Sequence, residues 1–172
     1  MEKQNRQSEP SFYVNFEKVY ARNIDSNISL LNFLRHNCKF TGTKEGCSEG
    51  DCGACSVLIF DEKGGLAPVN SCILKVGQIL DKNIVTIEGA SKLSSAKPLI
   101  EALNSKAASQ CGFCTPGFVM AALALKEKHK TPPESVIHDS ISGNLCRCTG
   151  YRPIVNGIQS IEEKIKFPIP ID

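Results

Sequence analysis

Residues 41–57 read TGTKEGCSEGDCGACSV, a stretch unlike the sequence on either side of it. From Thr41 to Cys55 it holds four glycines and three cysteines and almost no bulky apolar side chain, the composition of a loop shaped around something. Upstream, Phe12, Val14 and Phe16 alternate with Tyr13, Asn15 and Glu17, the period of a half-buried strand, with Val19 and Tyr20 in its hairpin partner. Asp25 to Ser29 supplies N-cap chemistry, and Leu30, Leu31, Phe33 and Leu34 form the apolar face of a short helix. Downstream, Val57 to Ile59 predicts a buried strand, Asp61 to Gly65 a turn and Leu66 to Ile73 the returning strand. Ile84, Val85 and Ile87 predict one more strand before Gly89.

Beyond residue 90 the periodicity becomes helical. Pro98, Pro116, Pro133 and Pro153 each precede an apolar-periodic stretch, where proline suits a first helical turn. Phe118, Val119, Ala122 and Leu125 recur at helical spacing, as do Ile154, Ile158, Ile161 and Ile165. The reading is an α+β chain: a strand-rich domain over residues 11–90, a four-helix domain over 91–166, a disordered tail at 1–10 and an extended one at 167–172.

At 172 residues the chain is long enough for one generous domain or two small ones, and domains as small as its halves often lean on metal or covalent staples. No apolar run approaches the roughly 20 residues of a bilayer span, and the polar N-terminus has no signal-peptide core. The expectation is a cytoplasmic protein without a membrane partner, where clustered cysteines bind metal more often than they form disulfides. Twenty basic and 18 acidic residues, a net +2, give no electrostatic case for nucleic acid. His36, His129 and His138 fall in polar stretches and read as surface residues, and Lys126, Lys128 and Lys130 as a basic run solvating a helix end. No nucleophile-elbow pattern supports hydrolysis, and no catalytic residue is assigned.

The nine cysteines stand at 38, 47, 52, 55, 72, 111, 114, 146 and 148. Cys47, Cys52, Cys55 and Cys72 have the C-x4-C-x2-C…C spacing of plant-type [2Fe-2S] ferredoxins. A tight loop lets several thiolates converge while the fourth arrives from another strand, and Gly46, Gly50 and Gly53 supply the backbone freedom such a loop needs. Cys111-x2-Cys114 and Cys146-x-Cys148 form a second set, whose two pairs also describe a structural zinc site. Pro116, opening a helix just after Cys114, brings backbone donors and a positive dipole end to a thiolate-rich site. With the thiols neutral the chain carries +2; eight thiolates and two oxidised cores bring it to about −2, buried charge that nearby dipoles must stabilise. Cys38, left over, reads as a small apolar residue.

Three segments, TGTKEGCSEGDCGACSV at 41–57, SQCGFCTPGFVM at 109–120 and GNLCRCTGYRPI at 143–154, resemble the iron–sulfur portion of the molybdenum hydroxylases. The resemblance runs from about residue 12 to 165, and KEGCSEGDCGAC at 44–55 is most similar to the xanthine dehydrogenases of that family. It implies a β-grasp ferredoxin-like domain followed by an all-α, four-helix [2Fe-2S]-binding domain. It implies electron transfer rather than catalysis by the chain alone: a purine is oxidised at a molybdopterin centre on a large partner subunit. Electrons then pass to the cluster on Cys111, Cys114, Cys146 and Cys148, to the cluster on Cys47, Cys52, Cys55 and Cys72, and to FAD, with NAD the usual last acceptor. Gln110 and Cys148 match positions against the pterin, and Lys44, Glu45 and Gly46 the side facing the flavin. Many bacterial relatives fuse this segment to a FAD domain, whereas this sequence ends at Asp172 without a glycine-rich flavin loop. FAD is therefore expected on a separate subunit, or the chain is a fragment. The alternatives are another molybdenum hydroxylase, acting on an aldehyde or an N-heterocycle, and a free-standing ferredoxin-type module.

Overall fold

In the computed structural model, which describes residues 9–60 and 65–168, the alternating N-terminal stretch forms strand β1 (Ser11–Val14), paired antiparallel with β2 (Glu17–Tyr20). Asn15 and Phe16 make the two-residue turn between them, both at positive φ, 52° and 73°. That turn matches the right-handed twist of the strands. The Asn15 side chain repays the strain by bonding Thr86 twice, donating to its Oγ1 at 3.0 Å and accepting from its N–H at 2.8 Å. Phe16 therefore leaves the strand and packs against the core of the helical half.

Among the described residues the sheet has five strands in the order β2-β1-β5-β3-β4, with β3 at Ser56–Phe60, β4 at Leu66–Asn70 and β5 at Asn83–Val85. Only β1 and β5 run parallel; the other pairs are antiparallel. Helix α1 (Leu30–Asn32), capped by Ser29 Oγ on the Asn32 N–H at 3.2 Å, continues as a π-helical turn over Phe33–Asn37. Leu30, Phe33 and Leu34 cover one face of the sheet, meeting Phe12, Val14, Val57 and Ile84 in a first core. Leu58, Phe60, Leu66 and Val85 point to the other face, into a second core built with the helices. Strands β3 and β5 are thus buried on both faces, which explains their unbroken apolar runs.

The helices are α2 (Ile87–Lys92), α3 (Lys97–Ser105), α4 (Thr115–Lys128), α5 (Glu134–Ile141) and α6 (Arg152–Gln159). Helix α4 is buried on every side from Gly117 to Lys126, packed between the sheet and the other helices. Pro98, Pro116 and Pro153 sit in first helical turns, while Pro133 is the N-cap of α5 and accepts the N–H groups of Val136 and Ile137.

Four expectations are corrected. Ile87 does not extend a strand: it opens α2, because Thr86 is held by Asn15 and turns the chain. The returning strand stops at Asn70 instead of Ile73, since Ser71 turns back to bond the Cys55 carbonyl and carries Cys72 out of the ladder. Ile161 and Ile165 lie beyond the end of α6; Ile165 is buried by a strap whose N–H bonds the Lys126 carbonyl at 3.0 Å. Lys126 itself is no surface lysine. It is fully buried and donates to the carbonyls of Lys130 and Ile161, while burial pushes its pKa down against the pull of Glu162. Lys126→Met, which keeps the stem and removes the donor, is expected to cost about 1–3 kcal/mol. The urea midpoint should fall by on the order of 1 M, for a slope of about 1–3 kcal/mol per M.

The expected tail at 1–10 lies outside the described residues but for Glu9 and Pro10, as do four residues of the expected turn at 61–65 and four of the extended end at 167–172. Phe167 stacks edge-on against Phe60, ring centroids 6.4 Å apart. Among the described residues no helix is long and apolar enough to cross a membrane.

Candidate metal centre

The loop before β3 is wound around the Cys47 thiol. Ser48, Gly50 and Gly53 all have positive φ, and the turn they make aims the N–H groups of Asp51 and Cys52 at Cys47 Sγ, each at 3.3 Å. Backbone hydrogen bonds from Glu49, Cys52 and Asp51 lower the Cys47 thiol to about 6. A Cβ on Gly46 would stand 2.7 Å from Cys52 Sγ, which explains why the residue before Cys47 has no side chain. Cys55, at the foot of β3, is buried, and the turn at Ser71 delivers Cys72 to it. Burial, then the Cys55 thiol, pushes Cys72 up to about 12.

The second set comes from two places. Cys111 and Cys114 precede α4, Cys114 as its N-cap, and Cys146 and Cys148 lie in the connection from α5 to α6. Burial and then the Cys146 thiol push Cys114 up to about 12. Burial also pushes Cys146 up, but the hydroxyl and N–H of Thr149 and the N–H of Cys148 outweigh it and hold Cys146 at about 7. The Cys111 thiol raises Cys148. Within each set the thiols act on one another: Cys52 on Cys47, Cys55 and Cys47 on Cys72, Cys146 and Cys111 on Cys114, Cys111 and Cys146 on Cys148. Among the described residues no three His, Cys, Asp or Glu side chains close around a single ion.

The two loops touch. The Leu145 N–H donates to the Cys52 carbonyl at 3.0 Å, and Asn144 Nδ2 donates to the Gly53 carbonyl at 2.9 Å. Residues 86–159 match a family described as the [2Fe-2S] binding domain. Aldehyde oxidase 1 of Bos taurus is 40% identical over 159 residues, 89% of this chain and 12% of that protein. Xanthine dehydrogenase of Emericella nidulans is 40% identical over 159 residues, 90% of this chain and 12% of that protein. A solved chain of quinoline 2-oxidoreductase from Pseudomonas putida 86 matches at 33% identity and a TM-score of 0.75, over 89% of this chain and 93% of that chain. The chain belongs to the molybdenum hydroxylase family. It corresponds to the iron–sulfur region of these oxidoreductases and spans about 12% of the length of the curated relatives it matches.

Several residues that shape this family site carried no role in the sequence reading. Tyr151, at φ 69°, accepts the Cys146 N–H on its hydroxyl at 3.0 Å and packs edge-on against Phe118, centroids 6.1 Å apart. Asn70 Nδ2 holds the Gly50 carbonyl at 2.5 Å. The Gly150-Tyr151 step after the last two cysteines was the available signal for Tyr151; Asn70 left none. Gln110 is exposed beside exposed Cys111, which pairs with Cys148. Lys44 bonds the Thr41 carbonyl, and Glu45 accepts from Ser48 Oγ, both on the rim of the first loop. Gly46 lies against Phe113 of the second loop.

Cys38 is half-buried against the first core, and burial raises it to about 11 from 9.0. In the metal-free chain at pH 7, iodoacetamide should label Cys47 first and leave Cys38, Cys72 and Cys114 slow; mass mapping of the alkylated peptides measures the order. Because the folded state holds the Cys38 proton, its contribution to stability is complete below pH 9 and is lost as pH rises towards 11.

Proposed function

We propose that the chain is the electron-transfer component of a xanthine dehydrogenase-like molybdenum hydroxylase. It relays electrons from a molybdopterin centre on a large partner subunit to FAD on a separate subunit or domain. Cys47, Cys52, Cys55 and Cys72 hold one [2Fe-2S] cluster, and Cys111, Cys114, Cys146 and Cys148 hold the other. Each cluster, when bound, takes up and gives up one electron at a time.

The donor chemistry fits. All eight side chains are thiols, four to each set, the number of thiolates a [2Fe-2S] core takes. The bare Gly46 leaves room beside Cys52, and the amides aimed at Cys47 and the Thr149 groups aimed at Cys146 stabilise thiolate charge. The chain's architecture is read as a β-grasp domain over 11–90 and a four-helix domain over 91–166.

The observation that carries a relay is the contact between the loops, where the Leu145 N–H, one residue before Cys146, bonds the carbonyl of Cys52. A storage or structural role asks for no such junction. The exposed Cys111–Cys148 pair, with Gln110 beside it, is the side offered to the pterin; the rim of Lys44, Glu45 and Gly46 is the side offered to the flavin. Equal identity, 40%, to an aldehyde oxidase and a xanthine dehydrogenase follows if substrate choice resides on the molybdopterin-bearing partner. The loop at 44–55 favours the xanthine dehydrogenase reading. We place the complex in the cytoplasm.

Purification of the native complex under anaerobic conditions tests the reading. A large molybdopterin-binding chain should copurify, and this chain should contain about four irons and four labile sulfides, with two EPR signals on reduction. Colourless protein holding zinc and no sulfide would overturn it, and brown protein with no large partner would reduce it to a free-standing ferredoxin-type module.

A further inference from the structure

The two cysteine loops belong to segments about ninety residues apart, and one buried side chain joins them. Asn144 lies in the short connection after α5, two residues before Cys146, and is almost fully buried. Its Nδ2 donates to the Gly53 carbonyl at 2.9 Å, while its own N–H is held by the Ile141 carbonyl at 2.9 Å. Gly53 is the residue after Cys52, and its carbonyl also accepts from Ser56 Oγ at 2.8 Å and the Ser56 N–H at 3.1 Å. Space around this point is closed on all sides. A Cβ on Gly53 would stand 2.4 Å from Asn144 Nδ2 and from the Gly143 carbonyl, and a Cβ on Gly117 would stand 2.2 Å from the Gly53 carbonyl.

We infer that Asn144 is a positioning residue that fixes the first cysteine loop against the second, so that the two metal sites keep one separation and orientation. The physical basis is the number of constraints. The first loop meets the second through the Leu145–Cys52 backbone bond and the close approach of Gly117 to the Gly53 carbonyl, and Asn144 adds a second, adjacent hydrogen bond that fixes the direction of that carbonyl. Its amide is the suitable group, because only a donor satisfies the Gly53 carbonyl there and a longer side chain has no room. Asn144 touches neither thiol set by a hydrogen bond; it acts through Cys52 and Cys146, its neighbours' neighbours in the fold.

The inference rests on the two-cluster reading, so iron and labile sulfide in the wild-type full chain are measured first; a chain without them defeats that reading and not this one specifically. Given a loaded chain, Asn144→Asp fills the same volume but offers no N–H, and Asn144→Ala removes the bond between the loops while Ser56 still holds the Gly53 carbonyl. Both should retain iron yet lose the spin–spin splitting between the two reduced centres in low-temperature EPR. Amide exchange at Leu145 in the metal-free chain should quicken about tenfold, the effect of losing one hydrogen bond. Ile141→Val, a core change of ordinary cost, should lower stability and leave the splitting unaltered. If Asn144→Asp keeps both the wild-type splitting and the slow Leu145 exchange, the positioning role is refuted. If Asn144→Ala does not fold, Asn144→Asp and the exchange measurement decide alone.

Discussion

Cys114→Ser should halve the iron bound by the chain, from about four atoms to about two, and remove one of the two EPR signals while sparing the other. Cys114 is fixed as the N-cap of α4 and paired with Cys146, so no other thiol of the chain can replace it without unwinding the first turn of the central helix. A serine hydroxyl is a far poorer ligand than a thiolate at neutral pH. The first set, held in a different loop by Asn70 and Ser71, should load as before. Because metal binding free energy is also folding free energy, the helical half should lose stability together with its iron. Iron and sulfide assays with EPR on the reduced protein check this, and Cys38→Ser, outside both sets, should leave all about four irons in place. A Cys114→Ser chain that retains the full count and both signals would remove Cys114 from the ligand set.

Gly117→Ala should destabilise the protein although the position is inside a helix. At an exposed helical site the same change gains about 1 kcal/mol. Here the new Cβ would stand 2.2 Å from the Gly53 carbonyl and 2.8 Å from Asn144 Nδ2, both closer than van der Waals contact allows. Neither neighbour is free to yield. The carbonyl is held by Ser56 and Asn144, and its displacement moves Cys52. Overpacking of this kind costs about 1–3 kcal/mol and outweighs the helical gain. The urea midpoint should drop, and iron should be released faster from the first set than in wild type. A raised midpoint would mean that α4 does not press on the first cysteine loop.

Much of this was legible in the chain itself, for reasons that are local. Alternation in Phe12 and Val14 marks β1 because successive strand residues face opposite sides. The apolar runs of β3 and β5 mark strands covered on both faces. Prolines 98, 116 and 153 mark helix starts because their ring fits a first turn. The misreadings have an equally definite cause. Ile87, Ile161 and Ile165 satisfy a period, but what ends a strand or a helix there is a distant partner: Asn15 through Thr86 in one case, the Lys126 carbonyl in the other. Lys126 read as surface because a lysine in a basic run ordinarily is; the Ile161 carbonyl brought back over α4, together with the Lys130 carbonyl just past the helix, lets it be buried.

The sequence by itself determined the chemistry of the site, since eight thiols in two spaced sets, with glycines where Cys47 must be wrapped, admit few uses. It also determined most of the elements, because propensity and period act over a few residues. Tertiary structure alone decided which thiols act on one another, where Tyr151 and Asn144 act, and that the two loops share a boundary. These depend on contacts such as Asn144 to Gly53, 91 residues apart. No local pattern encodes a contact of that span, because it forms only when both faces of the sheet are covered and α4 is packed against them.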